Sequence, residues 1–337
     1  MGRTGMPDLS TLLALLEPWR GARAKIVPLV DRRGRALGNH GDMVMMHVFA
    51  TILGDAEIAV HEDGSRSSPD LLLVPPSGAL LEGYQAPALV ADFLAKSPEL
   101  PVVVFPSSAY FPSTDPAAIF RDRAQPTTFI LREPVSLRHL EDQWGGGLRD
   151  AGVTLALDHD VAITGNRHVR ALFDTASTKP AGGSLLVASR LDPEARTFSS
   201  TPAAGSALRR LVVASYERLP SSRARVRIRR RVTRARQAAA NDWVMHRLPT
   251  GARAELAGMR PSRWSRDISD ASLCTFPQYL SAIADSAVVV TNRLHVAVPA
   301  AALGRRVFLV DSGYHKLRGV YEHSLRAVDD VTFVGQD

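Results

Sequence analysis

Arg293 and His295 stand just past the apolar run AVVVT, and Lys316 follows a second run, RVFLVDS. Two strand-like runs that each end in a cation, with an imidazole beside them, describe a place for a small dianion or trianion that must also exchange a proton. Asn292 completes the first group, and Gly313, Tyr314 and His315 surround the second. A helix cap or a satisfied core histidine is the structural alternative for His295.

Three further polar clusters have the same placement. Gly38-Asn39-His40-Gly41-Asp42 precedes an apolar helical stretch, so backbone N–H groups there can meet an anion. Asn39 and Gly41 suit substrate hydroxyls, and Asp42 suits either a proton acceptor or a helix cap. Arg132-Glu133-Pro134-Val135-Ser136 follows TTFIL; Arg132 can grip a carboxylate or phosphate in two-pronged fashion, with Glu133 to steady it. A structural ion pair is the alternative. Arg190 follows LLVAS in the second half of the chain. His159, between Asp158 and Asp160, suggests a metal at first sight, but a strand-end turn accounts for it better.

The elements that must hold these groups alternate. Strands are expected at Ala24–Val30, Glu57–His61, Asp70–Val74, Leu100–Phe105, Thr127–Leu131 and Val153–Leu157, with helices between them. The alternation restarts after DTASTKPAGGS, residues 174–184, with SLLVASR, AVVVTNR and RVFLVDS as strands. Runs apolar on both faces belong to parallel sheets covered by helices. The expectation is an α/β protein of two Rossmann-like domains, 1–175 and 181–337, facing a cleft, with ligands at the carboxyl ends of strands.

Composition narrows the partners. The 337 residues carry a formal charge of +7, and lysine occurs only at positions 25, 96, 179 and 316. A basic surface favours acidic partners. Nine arginines and no acid fall within 218–236, which reads as a solvated basic helix, a disordered insertion, or a patch for anionic lipid or polyanion. No aromatic residue is interleaved there for stacking bases, which argues against nucleic acid. A single cysteine, Cys274, excludes an internal disulfide and a cysteine-built metal site. The opening residues read neither as a signal peptide nor as a span, so a cytoplasmic protein that visits the inner face of the membrane is expected. HExxH, the P-loop lysine motif, GxSxG and GxGxxG do not occur.

Taken in order, GNHGD, LREPVS, LDHDVAI and VVVTNRLHVAVPAAALGRRVFLVDSGYHKLRGVYE resemble the polysaccharide pyruvyl transferase family over about residues 25 to 325. The TNRLH segment followed by GY-K-RG-YE is the specific part. The resemblance implies a GT-B-like pair of domains and transfer of pyruvate from phosphoenolpyruvate onto two hydroxyls of a sugar, or of a lipid-linked glycan, in exopolysaccharide or cell-wall synthesis. It implies no cofactor and no metal. It makes His295 the general acid/base with Asp42 as the alternative. Arg293, Arg132, Lys316 and Arg190 become donor-binding groups, and Asn39, Gly41 and Asn292 substrate contacts. A nucleotide-sugar glycosyltransferase on the same frame and a non-catalytic basic binding module are the competing readings. Two departures stand out: VPPSGAL, whose prolines remove backbone donors, and His40, where the family is usually apolar.

Overall fold

The computed structural model describes residues 5–30, 38–62, 67–174, 184–190, 222–264, 267–313 and 315–335, with backbone alone at 222–231, 233 and 315. The chain divides into two compact units. Unit 1 comprises Met1–Leu172 with Arg318–Asp329, and unit 2 comprises Phe173–Leu317 with Asp330–Asp337.

Unit 1 is built on strands β1 (Arg23–Ile26), β2 (Ala59–Val60), β3 (Leu71–Val74), β5 (Val102–Ser107), β7 (Thr127–Leu131) and β8 (Val153–Leu157), with a small pair, β4 (Leu80–Leu81) and β6 (Ala109–Tyr110), beside them. The six pair in the order β2-β1-β3-β5-β7-β8, every pair parallel. LLLV and VVVFPS are buried at every position, as central strands covered on both faces must be. Helices α2 (His40–Asp55), α3 (Gln85–Leu94) and α4 (Pro134–Asp150) follow β1, β4 and β7; the first, α1 (Ser10–Leu16), precedes the sheet. Val90, Leu94, Leu140 and Leu148 join Leu72, Val104 and Phe129 in one core. Two short helices, α5 (Val161–Thr164) and α6 (Asn166–Asp174), lead out of β8.

Unit 2 holds a second parallel sheet in the order β10-β9-β11-β12-β13. Its strands are β9 (Ser184–Ala188), β10 (Arg260–Pro261), β11 (Val288–Thr291), β12 (Arg306–Val310) and β13 (Val331–Val334). The arginine-rich stretch from Ser222 on is helical: it opens the 25-residue α7 (Ser222–His246). The last turns of α7 enter the core through Val244, with Leu248 and Leu256 following. Residues 218–221 lie outside those described. Helices α8 (Thr250–Leu256), α9 (Phe276–Ala284), α10 (Leu294–Ala302) and α11 (His315–Val320) complete the unit's described elements, although α11 runs on into unit 1. Among the described residues no helix is long and apolar enough to cross a membrane.

One expectation about domains is corrected. Residues 318–329 were assigned to the C-terminal domain with the rest of 181–337, but Arg318–Asp329 belongs to unit 1. Gly319 packs there so closely that a Cβ on it would lie 2.9 Å from Oε2 of Glu133 and 3.2 Å from Cγ2 of Val135. A sequence reading assigns a segment by its neighbours in the chain, and this one packs on residues almost two hundred positions earlier.

Candidate functional site

Polar groups gather at the carboxyl ends of both sheets, and each set is described within its own unit. In unit 2 the sites follow three neighbouring strands. Arg190, half-buried, comes two residues after β9; its backbone N–H donates to Oδ1 of Asn292 at 2.9 Å. That bond ties the ends of β9 and β11 together. Thr291 closes the same corner: its hydroxyl donates to the Ala188 carbonyl at 2.6 Å and accepts the Arg293 N–H at 3.0 Å. Arg293 is 6% exposed, and its guanidinium pairs with the carboxylate of Asp267. Arg293 also occupies the N-cap position of α10. His295 is half-buried in the first turn, and its backbone carbonyl accepts the hydroxyl of Tyr279. After β12, Asp311 accepts the N–H of Gly313 at 2.8 Å, and Lys316 on α11 is only 9% exposed. Tyr314 lies outside the described residues.

Beneath β9, Gln237 is fully buried on α7. Its amide donates to Oγ of Ser189 and to Oδ1 of Asn241, both at 2.9 Å. The Ser189 hydroxyl in turn donates to Asn241 at 2.6 Å. This polar knot anchors the long helix to the strand end that carries Arg190. The sequence offered no periodic signal for it, since Gln237 and Asn241 sit in an alanine-rich stretch.

The candidates in unit 1 meet a different outcome. Asn39 and Asp42 are a reciprocal helix cap: Asn39 Oδ1 accepts the Gly41 N–H at 2.8 Å, and Asp42 Oδ2 accepts the Asn39 N–H at 2.7 Å. Gly38 makes room for this carboxylate. Its φ is +122°, and a Cβ there would fall 2.5 Å from Asp42 Oδ2. The structural alternative for Asp42 is therefore realised, with one oxygen committed to the backbone. His40 is buried, its ring 3.3 Å from the Met43 sulfur. In VPPSGAL two of the remaining donors are used internally, Ser77 N–H to Ser107 Oγ and Ala79 N–H to Ser77 Oγ, each at 3.0 Å.

Arg132 requires a correction. It was expected to bind the donor's anion with Glu133 steadying it. It is 2% exposed, and its Nη1 pairs with Asp160 Oδ2 at 2.7 Å while Nε donates to Ser108 Oγ at 2.8 Å. Asp160 simultaneously caps α5 by accepting the Ala162 N–H at 2.9 Å. Glu133 faces the other way. It caps α4, accepting the N–H of Ser136 at 2.9 Å and its hydroxyl. Burial pushes the Glu133 carboxyl above its ordinary range, with the Ser136 bonds pulling against it. A surface arginine could have reached a ligand; one sealed beside Asp160 is an internal ion pair.

The residues between Arg132 and the chain's return were undervalued. Asp158 is 2% exposed at the end of β8. Its Oδ1 accepts the His159 N–H at 2.7 Å, while Oδ2 is buried without a hydrogen-bond partner among the described residues. Burial pushes this carboxyl up to about 6. The His159 ring stacks on His323, centroids 4.3 Å apart and planes 18° from parallel, and its Nδ1 lies 2.8 Å from Ser324 Oγ. Burial, and secondarily His323, hold His159 down to about 4. Among the described residues no three His, Cys, Asp or Glu side chains are grouped to hold a metal. The signal that could have found this cluster was the juxtaposition of LDHDVAI with a second histidine in YEHSL, residues that nothing in the linear sequence connects.

Two parallel sheets flanked by helices, with polar groups at the carboxyl ends of the strands, define a Rossmann-like α/β protein. No protein-family model matches the chain, and no curated protein matches it. In fold it is similar to the crystal structure of an uncharacterized protein from Klebsiella pneumoniae subsp. pneumoniae NTUH-K2044, with a TM-score of 0.53 and 16% identity over 96% of this chain and 97% of that one.

Proposed function

We propose that the chain is a polysaccharide pyruvyl transferase that moves the pyruvyl group of phosphoenolpyruvate onto two hydroxyls of a sugar. The observation that carries this reading is the alignment at unit 2's carboxyl edge. Three neighbouring strands, β9, β11 and β12, are followed by Arg190, by Asn292-Arg293-His295 and by Lys316. A donor with both a phosphate and a carboxylate calls for such a cationic set. The two parallel sheets also suit the GT-B-like frame that the sequence resemblance implies.

In this reading C3 of phosphoenolpyruvate takes a proton, C2 becomes electrophilic, and a sugar hydroxyl attacks it while giving up its own proton. The second hydroxyl then attacks C2, the C2–O bond to phosphate breaks, the departing phosphate takes up the hydroxyl's proton, and the ketal closes. His295 is the acid/base group, since an imidazole works in both directions near neutral pH. Lys316 and Arg190 bind the donor's anions, while Arg293, buried and paired with Asp267, holds the corner that carries Asn292 and His295. Arg132 is left out, because its charge is met inside unit 1. Asn39 and Asp42 serve this scheme by shaping the first turn of α2, and the acceptor is a soluble or lipid-linked glycan.

The test is a thermal-shift titration with phosphoenolpyruvate against phosphate, pyruvate and a nucleotide sugar. A ligand at about 100 times its dissociation constant stabilises the folded state by about 2.7 kcal/mol. Stabilisation by phosphoenolpyruvate beyond phosphate, lost in Arg190→Ala and Lys316→Gln, supports the reading. A response to the nucleotide sugar alone replaces it with a glycosyltransferase.

A further inference from the structure

We infer that Arg318–Asp329 is an acid-released clasp on unit 1, held by the neutral imidazoles of His159 and His323 and let go when they take up protons. This inference stands independently of the pyruvyl transferase reading. The segment enters unit 1 just after Leu317 and leaves it before Asp330. Its middle, Tyr321–Leu325, is a π-helical turn, a wide and uncommon geometry that marks places where side chains are re-aimed. Here it lets two consecutive residues meet one ring: His323 stacks on His159, and Ser324 pairs with its Nδ1.

The arrangement tolerates charge poorly. Stacked rings 4.3 Å apart cannot both be imidazolium without direct repulsion. His323 Nε2 is buried with no hydrogen-bond partner among the described residues, so a proton placed there has nothing to receive it. Burial holds both rings below their ordinary range, with the Asp158 backbone pulling His323 slightly the other way. Two carboxyls face the clasp. Asp158 precedes His159 and accepts its backbone N–H, and Glu133 meets Gly319 at the start of the segment. Both are raised by burial and so favour the docked state in acid, opposing the histidines. Replacing only the histidines separates the two effects, because the carboxyls stay.

For His159 the sign is direct. Its docked value is about 4 and a released histidine titrates near 6.5, so the released state binds more protons and gains as pH falls through that window. At pH 5 this one ring shifts the equilibrium about 30-fold toward release relative to pH 7.5. The experiment is hydrogen exchange of the full chain at the two pH values, corrected for intrinsic rates. Peptides covering 318–329 should lose protection at pH 5 while those covering β3 and β5 keep it. His159→Phe/His323→Phe, which keeps a stacked apolar pair without titration, should remove the loss, leaving protection at pH 5 equal to that at pH 7.5 or, through the remaining carboxyls, greater. Equal protection at both pH values, loss shared with β3 and β5, or the same loss in the double variant would each overturn the clasp. Histidine NMR on the wild-type protein is the second measurement, should the variant not fold. Both rings must titrate below the ordinary range as protection is lost. A ring with an ordinary titration in a segment that stays protected refutes the inference.

Discussion

Asp158→Asn should make the protein more resistant to urea at pH 8 than at pH 5, relative to wild type. The carboxyl is buried at the end of β8, with Oδ1 on the His159 N–H and Oδ2 unpartnered among the described residues, and its pKa rises from 3.8 to about 6. A carboxyl raised in the folded state binds its proton more tightly there than in the unfolded chain. Its contribution is therefore fully present below pH 3.8 and is lost as pH rises through about 6. The full cost above that window is about 2.2 units, or about 3 kcal/mol. At pH 5 roughly half of it has developed, leaving about 1.4 kcal/mol still to come by pH 8. Asparagine keeps the acceptor for His159 and removes the charge. Its amide, left without a partner, costs about 1–3 kcal/mol, but equally at both pH values. The difference between the two pH values is thus the informative quantity: the variant should gain about 1.4 kcal/mol on wild type between pH 5 and pH 8, whatever the amide costs. Urea unfolding at the two pH values measures it, and carboxyl NMR of the wild-type protein reads the titration directly. A pH-independent difference, or one of opposite sign, would refute the claim that Asp158 is charged at a cost in the folded state.

The remaining predictions concern both units. Arg132→Met strands Asp160 as an uncompensated buried charge and should cost about 3–5 kcal/mol by chemical denaturation, most of it recovered in Arg132→Met/Asp160→Asn, which keeps the Ala162 cap. Gly319→Ala sets a methyl against a carboxylate that Ser136 holds in place, and should cost about 1–3 kcal/mol in the same assay with no new pH dependence. His295→Ala should abolish phosphate release from phosphoenolpyruvate in the presence of acceptor while circular dichroism and melting stay near wild type; undiminished turnover removes His295 from the mechanism. Deleting 221–236 should reduce pelleting with anionic liposomes at low salt, and unchanged pelleting would dismiss a membrane role for that helix.

Much of the frame was legible because the strands are buried on both faces. TTFIL and VTLAL begin and end where the apolar runs do, and LLLV and VVVFPS need no alternation to be recognised. The cationic strand ends of unit 2 were legible for the same reason, since a charge directly after such a run must lie at the sheet's edge. What failed was the choice of partner. Glu133 is next to Arg132 in sequence, yet a residue at a helix N-terminus turns toward the free N–H groups of its own helix, and it took Asp160, the N-cap of α5, to meet the guanidinium. His159 looked inert because its neighbours in the chain are turn residues, whereas its ring meets His323 and Ser324 more than 160 positions away. The first turns of α7 are mostly arginine, so no apolar period announced a helix whose described anchoring residues include Gln237, Asn241 and Val244.

These corrections divide the two carboxyl edges by what their charges face. In unit 1 four of the described ionisable groups are met within the unit: Arg132 by Asp160, Glu133 by Ser136, Asp42 by the Asn39 backbone, and His159 by the returning segment. Such groups act on stability and on its pH dependence, and a ligand would have to break a buried bond to use them. In unit 2 the corner of Thr291, Asn292 and Asp267 fixes backbone and guanidinium geometry around Arg190, Arg293 and His295. In the reading proposed above, Arg190 and Lys316 meet the donor, so this edge would act on binding. A crossed comparison follows from the physics. Asp158→Asn and His159→Phe should change the pH profile of stability and leave the thermal response to phosphoenolpyruvate intact, while Arg190→Ala and Lys316→Gln should do the reverse. If the unit 1 variants instead abolish the phosphoenolpyruvate response with stability unchanged, the inward-facing groups are ligand contacts and the division is wrong.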